Sequence, residues 1–185
     1  KAEAKQRQQP PGGFAAAPRA SPVRAEAPAA ATPSERQMTT IMLRNLPNDY
    51  TRSMLLQLLD RKGFAGKYDF IYLPTDFARS AGLGYAFVNL VTVADAQLIR
   101  KRLEGFRQWI VPSSKVCTVG WSHPCQGLGA NIERYRNSPI MHECVPDEFK
   151  PMLFKDGLRV EFPKPTKRIR KPDLSRQGRP KSRQQ

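Results

Sequence analysis

Apolar residues recur with strand or helix spacing only between residues 38 and 162, an interval punctuated by Gly and Pro. Residues 40–46 (TIMLRNL) alternate, with Ile41 and Leu43 on one face and Met42 and Arg44 on the other, which predicts a strand ended by Pro47. Thr51 can cap a helix running to residue 61, with Met54, Leu55, Leu58 and Leu59 on one stripe and Gly63 past its end. Residues 69–73 predict a second strand stopped by Pro74, and residues 75–82, with Arg79, a loop. Residues 84–90 (GYAFVNL) predict a third strand, with Tyr85 and Phe87 on one face and Ala86 and Val88 on the other. Thr92-Val93-Ala94-Asp95 has the form of a capping box and opens a helix to residue 103, with Ala96, Ile99 and Leu103 inward and Arg100, Lys101 and Arg102 solvated. Residues 115–121 predict a fourth strand, with Cys117, Val119 and Trp121 on one face.

The order βαββαβ predicts an α+β fold of ferredoxin-like form, an antiparallel sheet with two helices on one face. Right-handed crossovers give the strand order 4-1-3-2, so the first and third strands lie side by side at the centre. Met42, Arg44, Tyr85 and Phe87 then share the face without helices; with Ile71 and Leu73 inward, Phe70 and Tyr72 join them. Paired aromatic rings on an open sheet are stacking surfaces for bases. Residues 84–90 resemble the octamer on the third strand of an RNA recognition motif (RRM), and residues 41–46 resemble the hexamer on its first strand. Met42 stands where the hexamer usually has an aromatic, and its polarizable thioether can still pack against a ring.

A closer resemblance is to the Mei-two-like family of meiosis regulators. It is carried by residues 39–51 (TTIMLRNLPNDYT), 54–56 (MLL), 68–74 (YDFIYLP), 84–89 (GYAFVN), 106–109 (FRQW) and Ser114-Lys115-Val116. That family's C-terminal RRM has an extension beyond the fourth strand, which residues 126–138, Met141 and residues 150–154 (KPMLF) resemble. Departures are Asp49, where the family usually has Lys, and residues 120–126. The resemblance implies single-stranded RNA as partner and a role in post-transcriptional regulation of meiosis. A protein partner on the helical face or the extension is the further partner expected.

Within the extension, residues 127–137 predict a helix with Leu128, Ile132 and Tyr135 on one stripe. So short a helix needs a surface to dock on. The expected surface is the edge of the fourth strand, with Trp121 as anchor and Tyr85 and Phe87 left open. The alternative places the helix across the central strands, over both rings. The expected RNA-binding set is Met42, Arg44, Phe70, Tyr72, Arg79, Tyr85, Phe87 and Lys115.

Charge adds a second element. The 185 residues carry a formal net charge of +15, which points to a polyanionic partner. Residues 1–37 hold 6 basic and 3 acidic groups, residues 38–162 hold 16 and 12, and residues 163–185 hold 9 and 1. The bias therefore sits in a tail, where Lys164, Lys167, Arg168, Arg170 and Lys171 are expected to track an RNA backbone, serve as a nuclear import signal, or both. The domain organisation expected is an Ala/Pro-rich disordered arm (1–37), the RRM (38–122), the extension (123–162) and a disordered basic tail (163–185). A chain starting at Lys1 is expected to be a piece of a longer one.

Several classes are set aside. No run of 18 apolar residues predicts a membrane span. Three cysteines without paired spacing suit reduced thiols in the nucleus or cytoplasm. His123/Cys125 and His142/Cys144 have spacing poorly suited to zinc, so neither metal nor cofactor is expected. No phosphate-cradling loop or nucleophile–His constellation suggests an enzyme. The expected function is RNA binding by a monomer. The alternative is a protein-interaction RRM whose sheet is covered by its own extension or a partner peptide.

Overall fold

The structure, a computed structural model, describes residues 37–172 except 77, 78 and 80. The expected arm up to residue 36 and the end of the expected tail, from residue 173, lie outside the described residues. Strands β1 (Thr40–Arg44), β2 (Tyr68–Tyr72), β5 (Tyr85–Leu90) and β6 (Thr118–Trp121) alternate with helices α1 (Arg52–Leu59) and α2 (Val93–Leu103) as expected. Between β2 and β5 the expected loop contains a short hairpin, β3 (Thr75–Asp76) and β4 (Ala81–Gly82). The extension supplies helix α3 (Leu128–Arg136) and a hairpin, β7 (Met152–Lys155) and β8 (Leu158–Val160).

Alternation decides the two faces. Ile41, Leu43, Ala86, Val88 and Leu90 have no exposed surface and point toward α1 and α2, where they meet Leu55, Leu59, Ile99 and Leu103. Both helices start as expected. Thr51 Oγ1 accepts from Met54 N at 3.2 Å, and Thr92 Oγ1 accepts from Asp95 N at 3.1 Å while donating to the Asp95 carboxylate at 2.6 Å. The first helix widens into a π-turn over Asp60–Phe64, where Gly63 takes φ +83°, so that Phe64 turns fully into the core.

The fourth strand is shorter than expected. Cys117 pairs instead with the turn after α2, its N–H donating to the Phe106 carbonyl and its carbonyl accepting from Gly105 N, both at 2.9 Å. Trp121 points to the helical side, beneath the guanidinium of Arg100 at 4.5 Å.

The sheet runs β6-β1-β5-β2-β7-β8, which is the expected order 4-1-3-2 widened by two strands. The widening occurs beside β2, where Phe70 is opposite Leu153 and Ile71 opposite Met152, and not beside the fourth strand. Asp156 and Gly157, at φ +51° and +78°, make the turn between β7 and β8, as expected of an Asp-Gly hairpin.

Candidate nucleic-acid interface

On the face away from α1 and α2, register sets Met42 opposite Phe87 and Arg44 opposite Tyr85. The rings of Tyr85 and Phe87 meet edge to face, 5.7 Å apart at 80°, and both residues are partly exposed. On the other side of β1, Arg44 is paired with Thr118 and Met42 with Gly120. Arg44 is exposed and its guanidinium lies over Gly120, where an added Cβ would meet it at 3.7 Å; its Nε donates to Met42 Sδ at 3.3 Å. A flat cation thus lies against the sheet at Gly120, next to two rings.

The other half of this face is covered by α3. Tyr135 stacks on Phe70 at 5.5 Å and 22°, and meets Tyr72 edge-on at 4.8 Å. Phe70 has no exposed surface, so its expected stacking on a base is corrected: it anchors a second apolar cluster with Tyr135 and Leu153, flanked by Leu128 and Ile132. Tyr72 is half covered, and burial, then the phenols of Tyr135 and Tyr85, push its hydroxyl pKa up. The expected docking at the fourth-strand edge is likewise corrected. The stripe of α3 finds aromatic surface on β2, whereas Trp121 faces the opposite side and offers it nothing.

A polar latch fixes the start of α3. The Gln126 side chain stands in for a peptide group: its Oε1 accepts from Thr39 N at 3.0 Å and Thr40 N at 2.9 Å, and its Nε2 donates to the carbonyls of Thr40 at 2.7 Å and Ser122 at 2.8 Å. The Thr40 hydroxyl accepts from Gly127 N at 2.9 Å and Asn131 Nδ2 at 3.1 Å and donates to Asn89 Oδ1 at 2.7 Å. Asn89 Nδ2 in turn donates to Asp69 at 2.7 Å. Thr40, Asn89 and Asn131 are buried, and their mutual satisfaction is what permits polar atoms between helix and sheet. None of the latch residues was singled out for this role from sequence, because hydrogen-bond partners distant along the chain leave no periodic signal.

The remaining expected residues lie elsewhere. Lys115 donates to the Leu46 carbonyl at 2.9 Å and to Asn48 Oδ1, so its ammonium ties down the loop after β1 rather than standing free for a phosphate. Arg79 is exposed at the β3–β4 turn. Lys164, Lys167, Arg168, Arg170 and Lys171 are exposed, but the expected start of the tail at residue 163 is corrected. Arg136 donates to the Lys164 carbonyl at 3.0 Å, and Asn137 exchanges bonds with Thr166 at 2.9 and 3.0 Å, pinning the chain along the end of α3 through residue 166. His142 Nδ1 and Cys144 Sγ lie 3.0 Å apart, and among the described residues no group of three or more His, Cys, Asp and Glu is placed to hold a metal. Nor is any described helix long and apolar enough to cross a membrane.

A βαββαβ sheet with an aromatic pair and an arginine on the free face of its central strands has the architecture of an RNA recognition motif. The profile of the RNA recognition motif 2 family matches residues 38–136, and the chain belongs to that family. It is 36% identical over 129 residues to Protein MEI2-like 3 of Arabidopsis thaliana, covering 70% of this chain and 16% of that one. To Meiosis protein mei2 of Schizosaccharomyces pombe it is 33% identical over 141 residues, covering 72% and 18%. To Protein MEI2-like 1 of Arabidopsis thaliana it is 38% identical over 120 residues, covering 65% and 13%. The chain thus spans 13% to 18% of the length of these relatives. Among solved structures, one described as Rna15 RRM with bound RNA (GU) is similar at a TM-score of 0.40 and 21% identity, covering 51% of this chain and 94% of that one.

Proposed function

We propose that this chain binds single-stranded RNA on the uncovered half of its sheet, as a monomer in the nucleus or cytoplasm, in the post-transcriptional regulation of meiosis. Its part is binding, not catalysis. The observation that carries the reading is the partly exposed pair Tyr85 and Phe87 with Arg44 beside them. The rings stack bases and Arg44 meets a phosphate or base edge; Met42 fills the floor between them. Arg79 and the tail cations Lys164, Lys167, Arg168, Arg170 and Lys171 add sequence-independent attraction. A second reading, a protein-interaction RRM whose sheet is covered by its own extension or a partner peptide, has the burial of Phe70 under Tyr135 in its favour.

One experiment separates the two. Anisotropy titration of a labelled, randomised single-stranded RNA pool is run with the unaltered chain and with Tyr85→Ala/Phe87→Ala. Each ring is expected to contribute about 1–3 kcal/mol, so the double variant loses at least roughly thirtyfold in affinity while its circular dichroism is unchanged. Equal affinity of the two folded proteins rules out the sheet as the RNA surface.

A further inference from the structure

Helix α3 leaves one cation without an acidic partner where it meets the uncovered half of the sheet. Arg134 is exposed, and its guanidinium carbon lies 5.7 Å from the ring centre of Tyr135. It takes part in none of the ion pairs among the described residues; the adjacent Glu133 is paired with Arg136 at 2.8 Å. Together with Phe87, His123 and Cys125, Arg134 lines a small notch between α3 and the turn after β6. Phe87 is therefore both half of the aromatic pair and one wall of this notch.

We propose that Arg134 binds a phosphate of the RNA, so that the extension helix contributes a backbone clamp beside Phe87. This rests on the single-stranded RNA reading above. An exposed guanidinium beside an aromatic ring, in none of the ion pairs among the described residues, has the donors a phosphodiester oxygen requires and no carboxylate to compete for them. A base stacked on Phe87 would carry its own phosphate to the edge of the ring, where the notch opens. The helix then acts as a wall of the site as well as a cover for Phe70.

The test measures RNA affinity against salt concentration for the unaltered chain, Arg134→Met, Arg134→Lys and the Tyr85→Ala/Phe87→Ala chain. Methionine keeps an apolar stem against Tyr135 and removes the charge, so folding is expected to persist; urea unfolding checks it. Arg134→Met should weaken binding roughly tenfold for all sequences alike. It should also reduce the slope of log K against log salt by about 0.7, the value for one phosphate on a single strand. Arg134→Lys should restore the slope and part of the affinity. Unchanged affinity and slope in Arg134→Met would overturn the proposal. So would increased affinity, which marks the helix as a lid, or a loss confined to particular bases with the slope intact. If Arg134→Met lowers stability, a slope that Arg134→Lys fails to restore overturns it as well. Failure of the underlying reading shows separately, as equal binding by the unaltered chain and the Tyr85/Phe87 double variant.

Discussion

Tyr135 of the extension lies nearly parallel over Phe70 of β2, 5.5 Å between ring centres. On an uncovered sheet face a ring at this position would be turned toward solvent; here the same chain supplies the ring that stacks on it. The helix is consequently part of the folded unit, and its removal is a change of core as well as of surface.

Tyr135→Ala should therefore destabilise the domain by about 3 kcal/mol, the range for losing a large buried aromatic. Urea unfolding monitored by circular dichroism checks this. A loss under about 0.5 kcal/mol, the usual range for surface changes, would mean that the helix rests on the sheet without being part of its core.

Gln126→Ala should cost about 2–3 kcal/mol, because the N–H groups of Thr39 and Thr40 and the carbonyls of Thr40 and Ser122 lose their shared partner. Gln126→Glu, which keeps an acceptor and loses the donor, should fall between. The order of the three chemical-denaturation midpoints is the measurement, and a glutamate variant as stable as the native chain contradicts the latch.

Asp147 joins the extension to the core through Arg52 of α1, at 2.9 Å, and pairs within the extension with Arg159 of β8. Hydrogen bonds from Arg159, then Arg52, hold its carboxyl well below the ordinary carboxylate range. A carboxylate whose folded pKa is depressed stabilises the fold above its unfolded pKa, near 3.9, and loses that contribution as pH falls toward the folded value. Asp147 is more than half exposed, so the effect is small. The stability difference between the native chain and Asp147→Asn should stay constant from about pH 7 to pH 5 and shrink below about pH 4. A difference that grows on acidification would place Asp147 elsewhere.

Truncation after Thr166 removes eight of 31 basic residues while keeping the contacts to Asn137. RNA binding should weaken for every sequence, and three or four lost phosphate contacts should flatten the salt slope by about 2–3 units. A changed base preference with an unchanged slope would show that the tail reads bases.

Much of this was legible in the sequence, for identifiable reasons. Strict alternation in β1 and β5 gives strand, facing and partner, and the pairing of Met42 with Phe87 follows from the topology. Thr51, Thr92 and the Leu128–Ile132–Tyr135 stripe mark helices through local hydrogen bonds and 3.6-residue spacing. A stripe shows that a helix needs a surface, but carries no address for it; hence α3 was expected beside Trp121 and lies over Phe70. The tie from Lys115 to the loop after β1 is not legible in the sequence, because its partner, the Leu46 carbonyl, is 69 positions away. The β7–β8 hairpin did leave a signal, Asp156-Gly157 between short apolar runs, which fits a two-residue turn.

On the proposed reading, the wall that α3 builds across the sheet also limits how much of a message this surface could read. Two rings and one arginine on the uncovered strands leave room for a run of very few nucleotides, and so short a word recurs throughout any transcript. Choosing one transcript among many then depends on how such words are spaced and repeated along it, and on contacts beyond this platform. Mutating a single word in a target should accordingly matter less than changing the number of words or the distance between them.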